Sequence, residues 1–151
     1  MSSNELANQL LIKVKGNDDV ENDINILKKL DVQKLSKDLS TENHQKAFWI
    51  NIYNAFLQII VKEKPLRFKN RKKLFTTKYI VIAQQELSLD DIEHGILRCS
   101  SWKYGGGYLS KIITTKFEKK FRVKKVDPRI HFALNCGAKS CPPIYFYKVS
   151  N

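Results

Sequence analysis

Residues 127–144 read Asp-Pro-Arg-Ile-His-Phe-Ala-Leu-Asn-Cys-Gly-Ala-Lys-Ser-Cys-Pro-Pro-Ile, and they hold most of the side chains that could do chemistry. A thiolate is a nucleophile, an imidazole moves protons, an amide orients either, and a nearby ammonium lowers a thiol's pKa. Cys136 is therefore the candidate nucleophile, and His131 the candidate base. His94, from the separate block Asp91-Ile-Glu-His94, is an alternative base. Lys139 and backbone N–H groups in a turn at Gly137 would activate the thiol and hold an oxyanion. Cys136 and Cys141 also form a candidate redox pair, although four intervening residues are not the compact Cys-x-x-Cys arrangement. Metal ligation by His131, Cys136 and Cys141, completed by Cys99 or His94, fits no standard zinc spacing. No metal and no cofactor is expected.

The geometry around His131 can be built two ways. In a strand, alternation puts His131, Ala133 and Asn135 on one face and Ile130, Phe132 and Leu134 on the other. In a helix, His131 and Asn135 are four apart and still share a face, whereas Cys136 does not. Both geometries pair His131 with Asn135 more readily than with Cys136. The strand is the preferred expectation, with Ile130–Leu134 and Lys78–Ala83 in one small sheet.

The element that must position this stretch is the most hydrophobic part of the chain, His44 to Lys62. Its apolar residues run nearly all round, as in a helix buried on most sides. Asn51, Asn54 and Gln58, three and four apart, are its polar exceptions and form one stripe. A buried amide without partners costs on the order of 1–3 kcal/mol, so the stripe must meet polar groups or line a cleft. It is either a satisfied structural network or a face turned toward His131 and Asn135. Asn51, Asn54, Asn135, Arg98 and Arg129 are the candidate substrate-binding residues. Arg98 and Arg129 are equally compatible with ion pairs to Asp90, Asp91 or Asp127.

Before this helix, residues 4–39 carry partial apolar stripes broken at Gly16-Asn17-Asp18, which predicts two or three short helices packed outside the core. Ser40 to Asn43 offers helix caps. After it, Lys78–Ala83 reads as a strand, Gln84-Gln85 as a hairpin turn, and Ser88-Leu-Asp-Asp91 as a capping box for a short helix over 90–98. Gly105 to Gly107 lacks the Lys-Ser/Thr of a phosphate loop and reads as a flexible loop. Residues 108–126 read as a short basic helix and an edge segment. The division expected is an N-terminal helical segment, 1–43, and a core domain, 44–151. The fold class is α+β, with the buried helix packed on a small, mainly antiparallel sheet.

The 151 residues suit one sizeable core, and 42% hydrophobic with 28% charged residues is an ordinary globular composition. No apolar run has the ~18 residues of a membrane span, and the N-terminus has no secretory signal, so no membrane association is expected. An odd number of cysteines without an export signal implies free thiols and a reducing, cytoplasmic setting. Net charge is +12, carried by 22 Lys and five Arg among 27 basic residues. Base readout and bidentate phosphate recognition favour arginine, so nucleic acid is disfavoured as a partner. An acidic protein partner suits the lysine surface better.

Three blocks, Asn51-Ile-Tyr-Asn54, residues 89–98 (Leu-Asp-Asp-Ile-Glu-His-Gly-Ile-Leu-Arg) and Ile130 to Pro143, stand in an order and spacing that resembles the domain-of-unknown-function 547 family. The likeness spans roughly residues 46–144. It implies a fold distantly similar to papain and transglutaminases, and thiol chemistry or scaffolding as the activity. Two departures accompany it. The helix beginning at Lys46-Ala-Phe-Trp49 has no Cys at its start, so the papain-like mechanism does not transfer residue by residue. The family also continues beyond the Cys-Pro-Pro block, so the chain is expected to be short at its C-terminus. The functional expectation is a cysteine-dependent acyl- or thiol-transfer or hydrolase-like enzyme acting on a small molecule or peptide. Its alternative is a non-catalytic protein-interaction module with a structural His/Asn network.

Overall fold

The computed structural model describes residues 1–63, 70–100, 114–135, 145 and 147. Helix α4, Glu42–Glu63, is the axis of the molecule, with Phe48, Trp49, Ile52, Tyr53 and Ala55 at 0–1% exposure. Apolar residues around most of its circumference leave the middle of the helix little face for solvent, so other elements pack on several sides. Three helices precede it, α1 (Ser3–Gly16), α2 (Glu21–Lys29) and α3 (Val32–Asp38). Contrary to the sequence expectation, they are part of the core. Leu6, Ala7, Leu10 and Leu11 of α1 are buried in one cluster with α4, because their i, i+4 spacing gives α1 a continuous apolar stripe.

Local chemistry fixes the ends of these helices. Ser2 and Glu5 form a reciprocal capping box on α1, and Asn17, at φ 59°, closes it in the left-handed conformation. Asp31 accepts from the backbone N–H groups of Gln33 and Lys34 at the start of α3. Fully buried Asp23 of α2 accepts from Gln9 Nε2 and Lys13 Nζ of α1, each at 2.6 Å. Ser3 donates through both its backbone N–H and its hydroxyl to Asp38, which ties α1 to α3.

After α5 (Arg71–Thr76), strands β1 (Ile80–Ile82) and β2 (Gln85–Leu87) pair antiparallel, with Val81 opposite Glu86. The hairpin turn is Ala83-Gln84, one residue earlier than expected. Both residues have positive φ, 49° and 63°, as a tight turn matched to strand twist requires. Their N–H groups donate to Leu27 O and Lys28 O in the last turn of α2, where Leu27 O also accepts from Leu30 N–H.

Ser88 and Asp91 form the expected capping box: Ser88 N–H donates to Asp91 Oδ2 at 2.8 Å and Asp91 N–H to Ser88 Oγ at 3.0 Å. The helix it opens is wound as a π-helix over Asp91–Leu97. Cys99 and Ser100, at φ 53° and 58°, end it, and Ser100 N–H closes back onto Gly95 O at 2.8 Å. Helix α6, Lys116–Phe121, covers this element. Gly95 permits the approach, since a Cβ there would lie 2.8 Å from Glu118 Cδ. Trp49 meets Phe48, Phe117 and Phe121 edge-on with centroids 4.9–6.1 Å apart, locking α6 to α4.

The segment Ile130–Leu134 is not a strand. Ile130–Ala133 forms the short helix α7, and the sheet among the described residues has two strands. Ile130 and Leu134 are buried, but Phe132, which strand alternation would bury with them, is 74% exposed. The turn is set by Asp127, whose carboxylate accepts from Arg129 N–H and whose carbonyl accepts from Ile130 N–H. The α+β class stands, with a two-stranded antiparallel sheet and helices predominating. No helix among the described residues is long and apolar enough to cross a membrane.

Candidate functional site

The asparagine stripe of α4 grips the C-terminal part of the chain. Asn54 Nδ2 donates to Ala133 O at 3.0 Å, and Asn54 Oδ1 accepts from Asn135 N–H at 2.9 Å. One turn earlier, Asn51 Nδ2 donates to Tyr147 O at 2.9 Å and Oδ1 accepts from Tyr147 N–H at 3.2 Å. A side-chain amide presents the same donor and acceptor as a peptide unit, so each asparagine stands in for a strand partner. Both are fully buried, at 0% exposure. Gln58, the third member of the stripe, donates to the Asn54 carbonyl along its own helix.

Beside this clamp, three elements contribute to a polar chain. Tyr53 of α4 donates its hydroxyl to Glu93 Oε2 at 3.3 Å, and Glu93 Oε1 pairs with Arg98 Nη2 at 3.1 Å. Arg98 Nη2 then lies 3.4 Å from His131 Nδ1 on α7. Burial raises the Tyr53 hydroxyl well above its ordinary pKa, and the Glu93 carboxylate adds to this, so Tyr53 is a neutral donor. The π-winding makes the Glu93–Arg98 pair: residues five apart come into register under i→i+5 bonding, whereas an α-helix would turn them away from each other. Arg98 Nε is buried with no hydrogen-bond acceptor among the described residues.

Each candidate has a distinct setting. His131 is exposed, and an arginine N–H can only donate, so Nδ1 accepts and the ring proton sits on Nε2. His94 is mostly buried, with Nε2 3.9 Å from Asp90 Oδ1 on the same helix. Asn135 is half-buried and held by Asn54 through its backbone. Arg129 is 88% exposed and forms a forked pair with Asp127, Nε at 3.0 Å and Nη2 at 2.8 Å. That pair holds the Asp127 carboxyl well below the usual carboxylate range, assisted by Lys46 of α4. Cys136, Lys139 and Cys141, and the glycine run 105–107, lie outside the described residues. The remaining cysteine, Cys99, is a partly exposed free thiol whose Sγ donates to Lys124 O at 3.5 Å. Among the described residues no group of three or more His, Cys, Asp and Glu could hold a metal ion.

Thus Asn54 meets Asn135, and Arg98 meets His131: the three sequence blocks converge. Sequence reasoning did not see Glu93 as the link between Tyr53 and Arg98. The signal for that link would have been a break in α-helical spacing over 91–98, which the capping box conceals.

These same blocks carry the family assignment. The family described as "Protein of unknown function, DUF547" matches residues 36–151. The chain belongs to the DUF547 family. No curated protein and no solved structure matches it. Within this DUF547 chain, the match takes in α4, the π-helix and α7, the elements that carry the clamp and the polar chain.

Proposed function

We propose that this DUF547 domain is a cysteine-dependent acyl- or thiol-transfer enzyme, with Cys136 as nucleophile and His94 as base. One observation supports the reading above others: Asn54 holds the chain up to Asn135, the residue before Cys136, while its neighbour Tyr53 bonds Glu93 on the helix that carries an imidazole and its carboxylate. In the reaction, the Cys136 thiol proton passes to the His94 imidazole, and the thiolate adds to the carbonyl carbon of an acyl donor. Collapse of the tetrahedral intermediate expels the leaving group, which takes the proton from His94, and leaves a thioester on Cys136. Water or a second nucleophile then releases the acyl group and restores the thiol. Asp90, on the same helix, stabilises the imidazolium formed midway. His131 is assigned a different role from His94, because Arg98 occupies the nitrogen a base would use and leaves an N–H on Nε2 to donate to the substrate.

The test is mass-resolved alkylation of the folded protein at neutral pH. Stoichiometric labelling of Cys136, slowed by His94→Gln and little changed by His131→Gln, is expected. Labelling of Cys136 only after denaturation overturns the proposal.

A second reading, a non-catalytic interaction module, is favoured by one feature. The Asn51 and Asn54 amides are fully buried and both ends of each are engaged with backbone, as in a purely structural network. That reading expects a Cys136→Ser protein to keep both its stability and its partner binding, with the binding weakened by salt.

A further inference from the structure

A cleft of about 530 Å³ opens between the N-terminal end of α4 and the end of α6 with the chain that follows it, and none of Tyr53, Glu93 and Arg98 lines it. Four cations line it, Lys119, Lys120, Arg122 and Lys124, against a single carboxylate, Glu42. Glu42 is already paired, at 3.1 Å, with Lys46, which is not among the lining residues described. Lys119, Lys120 and Lys124 have no ion-pair partner among the described residues. Arg122 is anchored: its Nη1 donates to the hydroxyl of fully buried Ser100 at 2.9 Å. Ser40 and Thr41 from the turn before α4 and Gln45 from its first turn complete the wall, and Cys99 lines it.

Unpaired like charges drawn around a concavity repel one another, and low-dielectric walls focus their field on whatever enters. A multiply charged anion relieves that repulsion, and lysine ammonium groups bind phosphate oxygens as point charges. The volume falls in the range of small-molecule sites, about 300–1,000 Å³. No aromatic ring stands among the described lining residues, so the stacking platform that single-stranded nucleic acid uses is missing from them.

We propose that this cleft binds a small, multiply phosphorylated molecule. The probe is inorganic tripolyphosphate, titrated calorimetrically into the full chain at 0.15 M salt. Saturable one-to-one binding is expected, weakened about tenfold or more in Lys120→Gln/Lys124→Gln. The control, Lys72→Gln/Lys73→Gln on α5, removes the same charge from exposed residues outside the cleft and is expected to change affinity less than about twofold, as screened distant charges do. Bound tripolyphosphate should also slow alkylation of Cys99 in the parent and control proteins but not in the cleft variant. Urea midpoints matching the parent establish that each variant is folded. Equal weakening by the two double variants, tighter binding of a mixed-sequence oligonucleotide than of tripolyphosphate, or absence of saturable binding each overturns the proposal.

Discussion

Replacing Asn54 by alanine isolates the clamp that joins α4 to the segment leading into Cys136. The side chain is fully buried and makes two hydrogen bonds to backbone, at 3.0 Å to Ala133 O and 2.9 Å from Asn135 N–H. Each such bond contributes about 1–1.5 kcal/mol net, and a buried partner left unsatisfied raises the loss toward about 3 kcal/mol. Ala133 and Asn135 are themselves only half-buried, so water repairs part of the damage. The expected destabilisation is therefore about 2–4 kcal/mol. With a urea m-value of about 2 kcal/mol per molar, the middle of the usual range, the midpoint should fall by about 1–2 M at unchanged slope. Amide exchange at Asn135 should accelerate more than exchange in the middle of α4. Asn54→Asp keeps the acceptor for Asn135 N–H but sets a carboxylate oxygen against the Ala133 carbonyl. It should destabilise at least as much while protecting the Asn135 amide better than alanine does. A loss below about 0.5 kcal/mol, the ordinary range of a surface change, with Asn135 exchange unaltered, refutes the clamp.

Three further perturbations follow from the same geometry. Asp127 is held ionised by Arg129 and Lys46, so its folded pKa lies below the unfolded one, and its stabilisation is present above about pH 4 and lost as pH falls. Asp127→Asn should lower stability at pH 7 and flatten the acid limb of the stability profile; an unchanged acid limb contradicts this. Tyr53 has the opposite sign: its raised pKa leaves stability intact below about pH 10 and erodes it above, as the unfolded chain ionises. Tyr53→Phe should shift alkaline unfolding upward, read by circular dichroism, and an unmoved midpoint would remove the case for a neutral buried phenol. Cys99 sits at φ 53°, where a Cβ costs about 1–2 kcal/mol. Cys99→Gly should therefore be neutral or stabilising and Cys99→Val destabilising by more than about 1 kcal/mol in urea unfolding, the reverse order being the contrary result.

What could be read in advance depended on how local its cause was. The long helix announced itself through its apolar circumference, and the capping pair Ser88/Asp91 formed as its spacing required. The polar stripe also declared that partners must exist, because buried amides demand them. Their identity, the backbone at 133, 135 and 147, was not legible, since it joins residues 79–96 positions apart. At 130–134 the apolar residues recur at i, i+2 and i+4, which strand and helix share in part; Phe132 breaks the tie only once its exposure is known. The hairpin turn carries no Gly or Asn, the residues that normally mark positive φ, and so was placed one residue late. The basic cleft was invisible for a different reason. Its cations lie in the last turn of α6 and just after it, but the concavity requires the start of α4, some eighty residues earlier, to stand opposite.

The central functional claim is that Cys136 takes up an acyl group, and a covalent adduct tests it most directly. Folded protein would be incubated with an activated acetyl ester, digested, and its peptides weighed before and after hydroxylamine, which cleaves thioesters and spares amides. The account predicts a hydroxylamine-labile acetyl group on Cys136 that is absent from Cys136→Ser and accumulates more slowly in His94→Gln. Acetylation confined to lysines, or appearing on Cys136 only when the chain is unfolded, contradicts it.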